Sequence, residues 1–122
     1  MIMRNTLAAI FSLFCLLAWP GYVAAHADLT NSDPANGATL EKTPEMVTLS
    51  FSSPLEPSFS KVQVVDKSGK QVDLGSAAVD KNDPKILRVG IPSLGGGSYK
   101  VIWSVVSRDG HKIKGEYTFN VM

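Results

Sequence analysis

Cysteine is nearly missing from this 122-residue chain, and the single one, Cys15, lies in an apolar stretch close to the start. Beyond it, disulfides and thiolate metal sites are excluded together. Charge of one sign is missing too, with 12 Lys+Arg against 11 Asp+Glu. Setting aside Arg4, the two signs balance, so neither nucleic-acid binding nor a polybasic membrane patch is supported. Histidine is scarce, at His26 and His111 alone, and the methionines after the first apolar stretch are only Met46 and Met122. A metal would therefore be held by nitrogen and oxygen, and a methionine-rich cuprous site has no material. Only one long apolar run is present, Leu7 to Trp19, which is short for a comfortable transmembrane helix.

That run reads as a secretory leader. Arg4 precedes it, Pro20 and Gly21 break it, and Val23-Ala24-Ala25 supplies small residues at the minus-three and minus-one positions of a cleavage site. Cys15 follows Leu13-Phe14, not the small residues of a lipoprotein signal, so no lipid tether is expected. Cleavage after Ala25 divides the chain into a signal peptide, residues 1–25, and one domain, residues 26–122. The remaining roughly 100 residues suffice for one domain with a modest core. His26 becomes its first residue.

Period-two alternation dominates from Met46 onward, and no capped helical stripe precedes it. Val47, Leu49 and Phe51 share one strand face; "KVQVVD" at 61–66 and "ILRVGI" at 86–91 are further strands. In "SYKVIWSVVS", Tyr99, Val101, Trp103 and Val105 alternate with residues that are themselves partly apolar, as in a central strand. Tyr117, Phe119 and Val121 mark a final strand, and "ADLTNSDP" a first one with Leu29 in the core. The segments between are rich in turn residues and leave no room for crossover helices. An all-β fold is expected, an antiparallel β-sandwich or Greek-key barrel.

Candidate chemistry is concentrated at the two histidines. Asp109 and His111, in "SRDGHKIKG", are two residues apart and in extended backbone project to the same side. A free N-terminal His26 adds its α-amine to its imidazole Nδ1, and together they close a six-membered chelate ring. Three nitrogens and one oxygen form a tetragonal set that suits Cu(II). Each piece also has a structural reading. A histidine after a leader can be a solvated terminus, His111 a surface residue, and "DG" a hairpin turn with Asp109 bonded to its own backbone.

Other patterns carry less. Ser104 or Ser107 with His111 has no nucleophile elbow or oxyanion site around it. "LGGGS" lacks the strand-to-helix context of a phosphate loop. Trp103 and Tyr99 read as core, and Asp66, Asp73, Asp80 and Asp83 are scattered through turns without a calcium-loop pattern.

The post-cleavage "HADL", then "DPANGATL", "LSFSSPLEPSFS", "DPKILRV" and "GSYKVIWSVVSRDGHKIKGEYTF" together resemble the CopC-type periplasmic copper-binding proteins, especially their YobA-like members. The resemblance runs through essentially all of residues 26–122 and implies an immunoglobulin-like Greek-key β-barrel holding Cu(II) through His26, Asp109 and His111. Relatives that also bind Cu(I) carry a methionine- and histidine-rich loop; "VDKSGKQVDLGSAAVDKNDPK" has neither residue, which implies a Cu(II)-only protein. Many relatives have glutamate where Ser53 stands, and some a histidine at the place of Asp28.

The expectation is a non-enzymatic periplasmic Cu(II) carrier or buffer, one ion per mature chain, not inserted in the membrane once processed. The family context adds a CopD-like inner-membrane copper transport partner. Two other classes remain: a histidine-brace copper oxidase or monooxygenase, and a metal-free immunoglobulin-like interaction module.

Overall fold

Eight strands account for the alternating segments in the computed structural model, which describes residues 27–122. They are β1 (Leu29–Asp33), β2 (Thr39–Leu40), β3 (Met46–Phe51), β4 (Lys61–Val65), β5 (Ala78–Val79), β6 (Ile86–Gly90), β7 (Gly97–Val106) and β8 (Lys112–Val121). The expected leader, residues 1–25, and His26 lie outside the described residues. Two four-stranded sheets, ordered β1-β3-β6-β5 and β2-β8-β7-β4, pack as an immunoglobulin-like β-sandwich. No helix among the described residues is long and apolar enough to cross a membrane.

The expected strands fall within a residue or two of those observed. Three short elements were not visible in the pattern: the two-residue strands β2 and β5, and a 3-10 turn at Pro57–Phe59. Two residues cannot establish a period, so such pairings are set by the sheet they join and not by their own sequence.

The apolar phase of each strand faces the other sheet. Leu49, Leu87, Val101, Val105 and Phe119 are fully buried, each contributing about 1.5–3 kcal/mol of burial. Phe51 meets Trp103 edge-on at 6.4 Å between ring centroids, and Trp103 meets Tyr117 at 6.1 Å. Trp103 lies opposite Gly115 in the β7–β8 register. A Cβ at Gly115 would stand 2.2 Å from the indole Cζ2, so glycine is required there for space.

β7 and β8 are paired from Gly97↔Val121 to Val106↔Lys112, the longest ladder of the fold. This ladder carries the candidate ligands at its closed end. Inward-facing Trp103 and Val105 are followed, in the same phase, by Ser107.

Candidate metal site

Residues 107–111 join β7 to β8 through a tight turn. The Ser107 N–H donates to the His111 carbonyl at 3.0 Å, and the Gly110 N–H donates to the Ser107 carbonyl at 2.9 Å. Gly110 has φ 90°, the left-handed conformation that closes a three-residue hairpin loop with a bulge. The hairpin reading of "DG" is therefore right, and Asp109 accepts the expected bond from its own turn, from the His111 backbone N–H, alongside side-chain contacts. Asp109 Oδ1 accepts a hydrogen bond from the Ser107 hydroxyl, and its Oδ2 lies 3.1 Å from His111 Nδ1.

The side chains of His111 and Asp109 are 53% and 42% exposed, so an ion from solvent can reach both. The Ser107 hydroxyl first, and His111 second, hold the Asp109 carboxyl below its ordinary value of 3.8. Asp109 is thus poised as an anion. Two donors about 2.0–2.1 Å from one ion at right angles stand about 2.9 Å apart. The observed 3.1 Å between Oδ2 and Nδ1 already approaches that spacing.

The same end of the sandwich anchors the arm that carries His26 in the chain. Ala27 is fully buried in the core. The Asp28 N–H donates to Ser52 Oγ at 2.8 Å, and the Ser52 N–H donates to the Asp28 carbonyl at 2.8 Å. A few residues on, the Arg108 N–H donates to the Pro54 carbonyl at 3.1 Å and the Glu56 N–H to the Val106 carbonyl at 2.7 Å. Leu55, fully buried, bridges Ser107 between them. Residues 52–56 therefore tie the N-terminal arm and the hairpin to one strap.

Of the three expected ligands, Asp109 and His111 are brought together, while His26 lies outside the described residues. No cluster of three metal-ligating side chains occurs among the described residues. Ser107, weighed in the sequence only as a nucleophile, instead has its hydroxyl engaged by Asp109 and is 1% exposed. The signal that could have shown its role is a serine in the buried phase of a strand otherwise filled by Tyr99, Val101, Trp103 and Val105.

The other turn aspartates, Asp66, Asp73, Asp80 and Asp83, bond within the fold. Asp66 and Asp80 bind backbone N–H groups of their own turns, and Asp80 also pairs with Arg88. A concavity of about 480 Å³ lies along β4, where Asp73 accepts from the Val64 N–H at 2.8 Å and from Gln71. Its carboxylate is occupied by these contacts, and the hairpin takes no part in the lining.

Fold and site define a small β-sandwich with an exposed carboxylate–imidazole pair on one hairpin. Residues 29–122 match the CopC domain family, and the chain belongs to it. It is 41% identical over 100 residues to Protein YobA of Escherichia coli (strain K12), covering 81% of each chain. The crystal structure of CopC from Methylosinus trichosporium OB3b superposes with a TM-score of 0.71 at 32% identity, over 79% of this chain and 93% of that one. The Copper transport protein CutJ of Bacillus subtilis (strain 168) is 30% identical over 119 residues, 97% of this chain but only 22% of CutJ.

Proposed function

We propose that this chain is exported, cleaved after Ala25, and as residues 26–122 serves in the periplasm as a Cu(II) carrier or buffer in copper homeostasis. One ion is held by the amine and Nδ1 of His26, the Asp109 carboxylate and the His111 imidazole. The observation that carries the reading is the spacing of Asp109 Oδ2 and His111 Nδ1, 3.1 Å apart on an exposed hairpin. The strap at residues 52–56 supports the third contribution, since it fixes Asp28 and the hairpin at one end of the fold. Family membership supports copper as the metal.

Three nitrogens and one oxygen nearly fill an equatorial plane around Cu(II), an arrangement suited to holding the ion and not to activating a substrate on it. The absence of histidine and methionine between Val65 and Lys85 supports Cu(II) without a second, cuprous site. In CutJ a domain like this one makes up a small part of a longer protein named for copper transport. That arrangement supports a CopD-like inner-membrane protein as the partner of this chain.

The test is Cu(II) titration with electron paramagnetic resonance on protein whose N-terminus is verified as His26. One tight site with nitrogen-rich ligation is expected. His111→Ala should weaken it by at least about 100-fold, because loss of a ligand's supporting partner alone costs about 10–100-fold. Equal affinity in His111→Ala, or in protein retaining residues before His26, overturns the ligand assignment. Reductant- or peroxide-driven substrate oxidation by the copper-loaded protein would replace the carrier with an oxidase.

A further inference from the structure

We propose that Ser107 is the positioning residue that restricts Asp109 to one metal-binding oxygen and thereby sets the site's preference for Cu(II). This inference rests on the copper site proposed above. The Ser107 side chain touches both ligand residues of the hairpin at once. Its hydroxyl donates to Asp109 Oδ1, and its Oγ accepts from the His111 backbone N–H at 3.3 Å. A hydroxyl has one proton and two lone pairs, so both contacts are made simultaneously. The same residue's N–H and carbonyl close the turn through His111 and Gly110.

Burial makes this arrangement firm. Ser107 is 1% exposed and bridges Leu55, so water does not compete for its hydroxyl and the turn cannot easily shift beneath it. A buried hydroxyl without partners would cost stability, and here the two ligand residues supply them. Alanine in this phase of β7 would fit the core pattern equally well. What it would lack is the donor to Oδ1.

With Oδ1 engaged, Oδ2 is the oxygen that faces His111 Nδ1. One carboxylate oxygen beside nitrogen donors completes a four-donor plane, the geometry in which Cu(II) has its advantage over other divalent ions. Without the Ser107 donor only the His111 contacts orient the carboxylate, and it can turn to attach through both oxygens. The site then gains oxygen character and loses planarity, and both changes favour ions with less directional coordination.

Ser107→Ala and Ser107→Thr, each beginning at His26, separate this role from simple structural support. The measurements are thermal melting of the metal-free proteins, Cu(II) affinity and paramagnetic resonance spectrum, and competition between Cu(II) and Zn(II). Ser107→Ala is expected to lose about 10–100-fold in Cu(II) affinity, the usual consequence of removing a ligand's supporting hydrogen bond. Its copper hyperfine pattern should change and its preference for Cu(II) over Zn(II) should narrow, while Ser107→Thr, which keeps a hydroxyl, restores the parent values. A Ser107→Ala protein with the parent spectrum and the parent copper-to-zinc preference overturns the inference, whatever happens to its melting temperature. If the unsubstituted protein itself shows only aqueous Cu(II), the site proposal fails instead.

Discussion

Two turns of this molecule share one backbone and differ in where aspartate and serine stand on it. In Asp66–Lys70, the first residue's N–H donates to the fifth's carbonyl at 2.8 Å and the fourth's N–H to the first's carbonyl at 2.9 Å. In Ser107–His111 the same two bonds are 3.0 and 2.9 Å, and the glycines at position four have φ 87° and 90°. The side chains are exchanged. Asp66 at position one accepts from the Ser68 hydroxyl and from the N–H groups of Ser68 and Lys70, so Oδ1 is turned into its own loop. Ser107 at position one donates outward to Asp109 at position three, whose other oxygen meets His111 at position five. Exchanging two residues converts a carboxylate whose bonds all lie in its own loop into one that keeps a bond from the His111 backbone and also presents an oxygen to the His111 ring.

The most severe way to break the comparison is to reverse the exchange. Ser107→Asp with Asp109→Ser copies the pattern of residues 66–70, and should lower Cu(II) affinity by at least about 100-fold while also lowering the melting temperature, because position 107 is 1% exposed and a carboxylate there is costly to bury. Titration and thermal melting on the same sample check both halves; retained copper binding would show that Asp109 is not a ligand. In the other turn, Asp66→Ala should lower the melting temperature and leave copper affinity unchanged.

Acid sharpens the contrast next. Ser68 above all holds Asp66 below the ordinary value of 3.8, and Ser107 does the same for Asp109. A depressed carboxyl value means that the ionised form favours the native state. Its contribution is complete above the ordinary aspartate range and is lost only as pH falls through the lower native value. Copper, in contrast, requires neutral imidazoles, and histidine ordinarily titrates near about 6.5. Copper should therefore leave on mild acidification, well before either turn loosens. Resonance spectra and circular dichroism followed along one pH series should give two separate transitions, and a single shared midpoint would contradict the assignment.

What could be read without coordinates follows the same division. Alternation located the core because side-chain period is local and exact to two residues: Leu49, Leu87, Val101 and Phe119 are all fully buried. Ligand candidates were legible because so few residues could serve. The exchange between positions one and three was not legible, since "DKSG" and "SRDG" have the same turn composition and the hydroxyl's direction depends on which residue is buried. The strap at residues 52–56 was hidden for a different reason. Its bonds link residues far apart in sequence, as Asp28 with Ser52 and Pro54 with Arg108, and no local pattern reports them.

The smallest expected effect tests whether the two turns are equivalent as backbone. Gly69 and Gly110 have φ 87° and 90°, and a Cβ built on either meets nothing within 4 Å. Alanine at each therefore encounters no steric clash, and only the left-handed conformation remains, at roughly 1–2 kcal/mol. Gly69→Ala and Gly110→Ala should accordingly lower stability by similar amounts in denaturant unfolding. Only the second should also weaken copper, because relief of its strain moves Asp109 relative to His111. Equal stability loss with unequal copper loss separates display from scaffold. If Gly110→Ala keeps the full copper affinity, the Oδ2–Nδ1 spacing tolerates a relaxed turn, and the preorganisation argued for the hairpin must come from Ser107 and the strap alone.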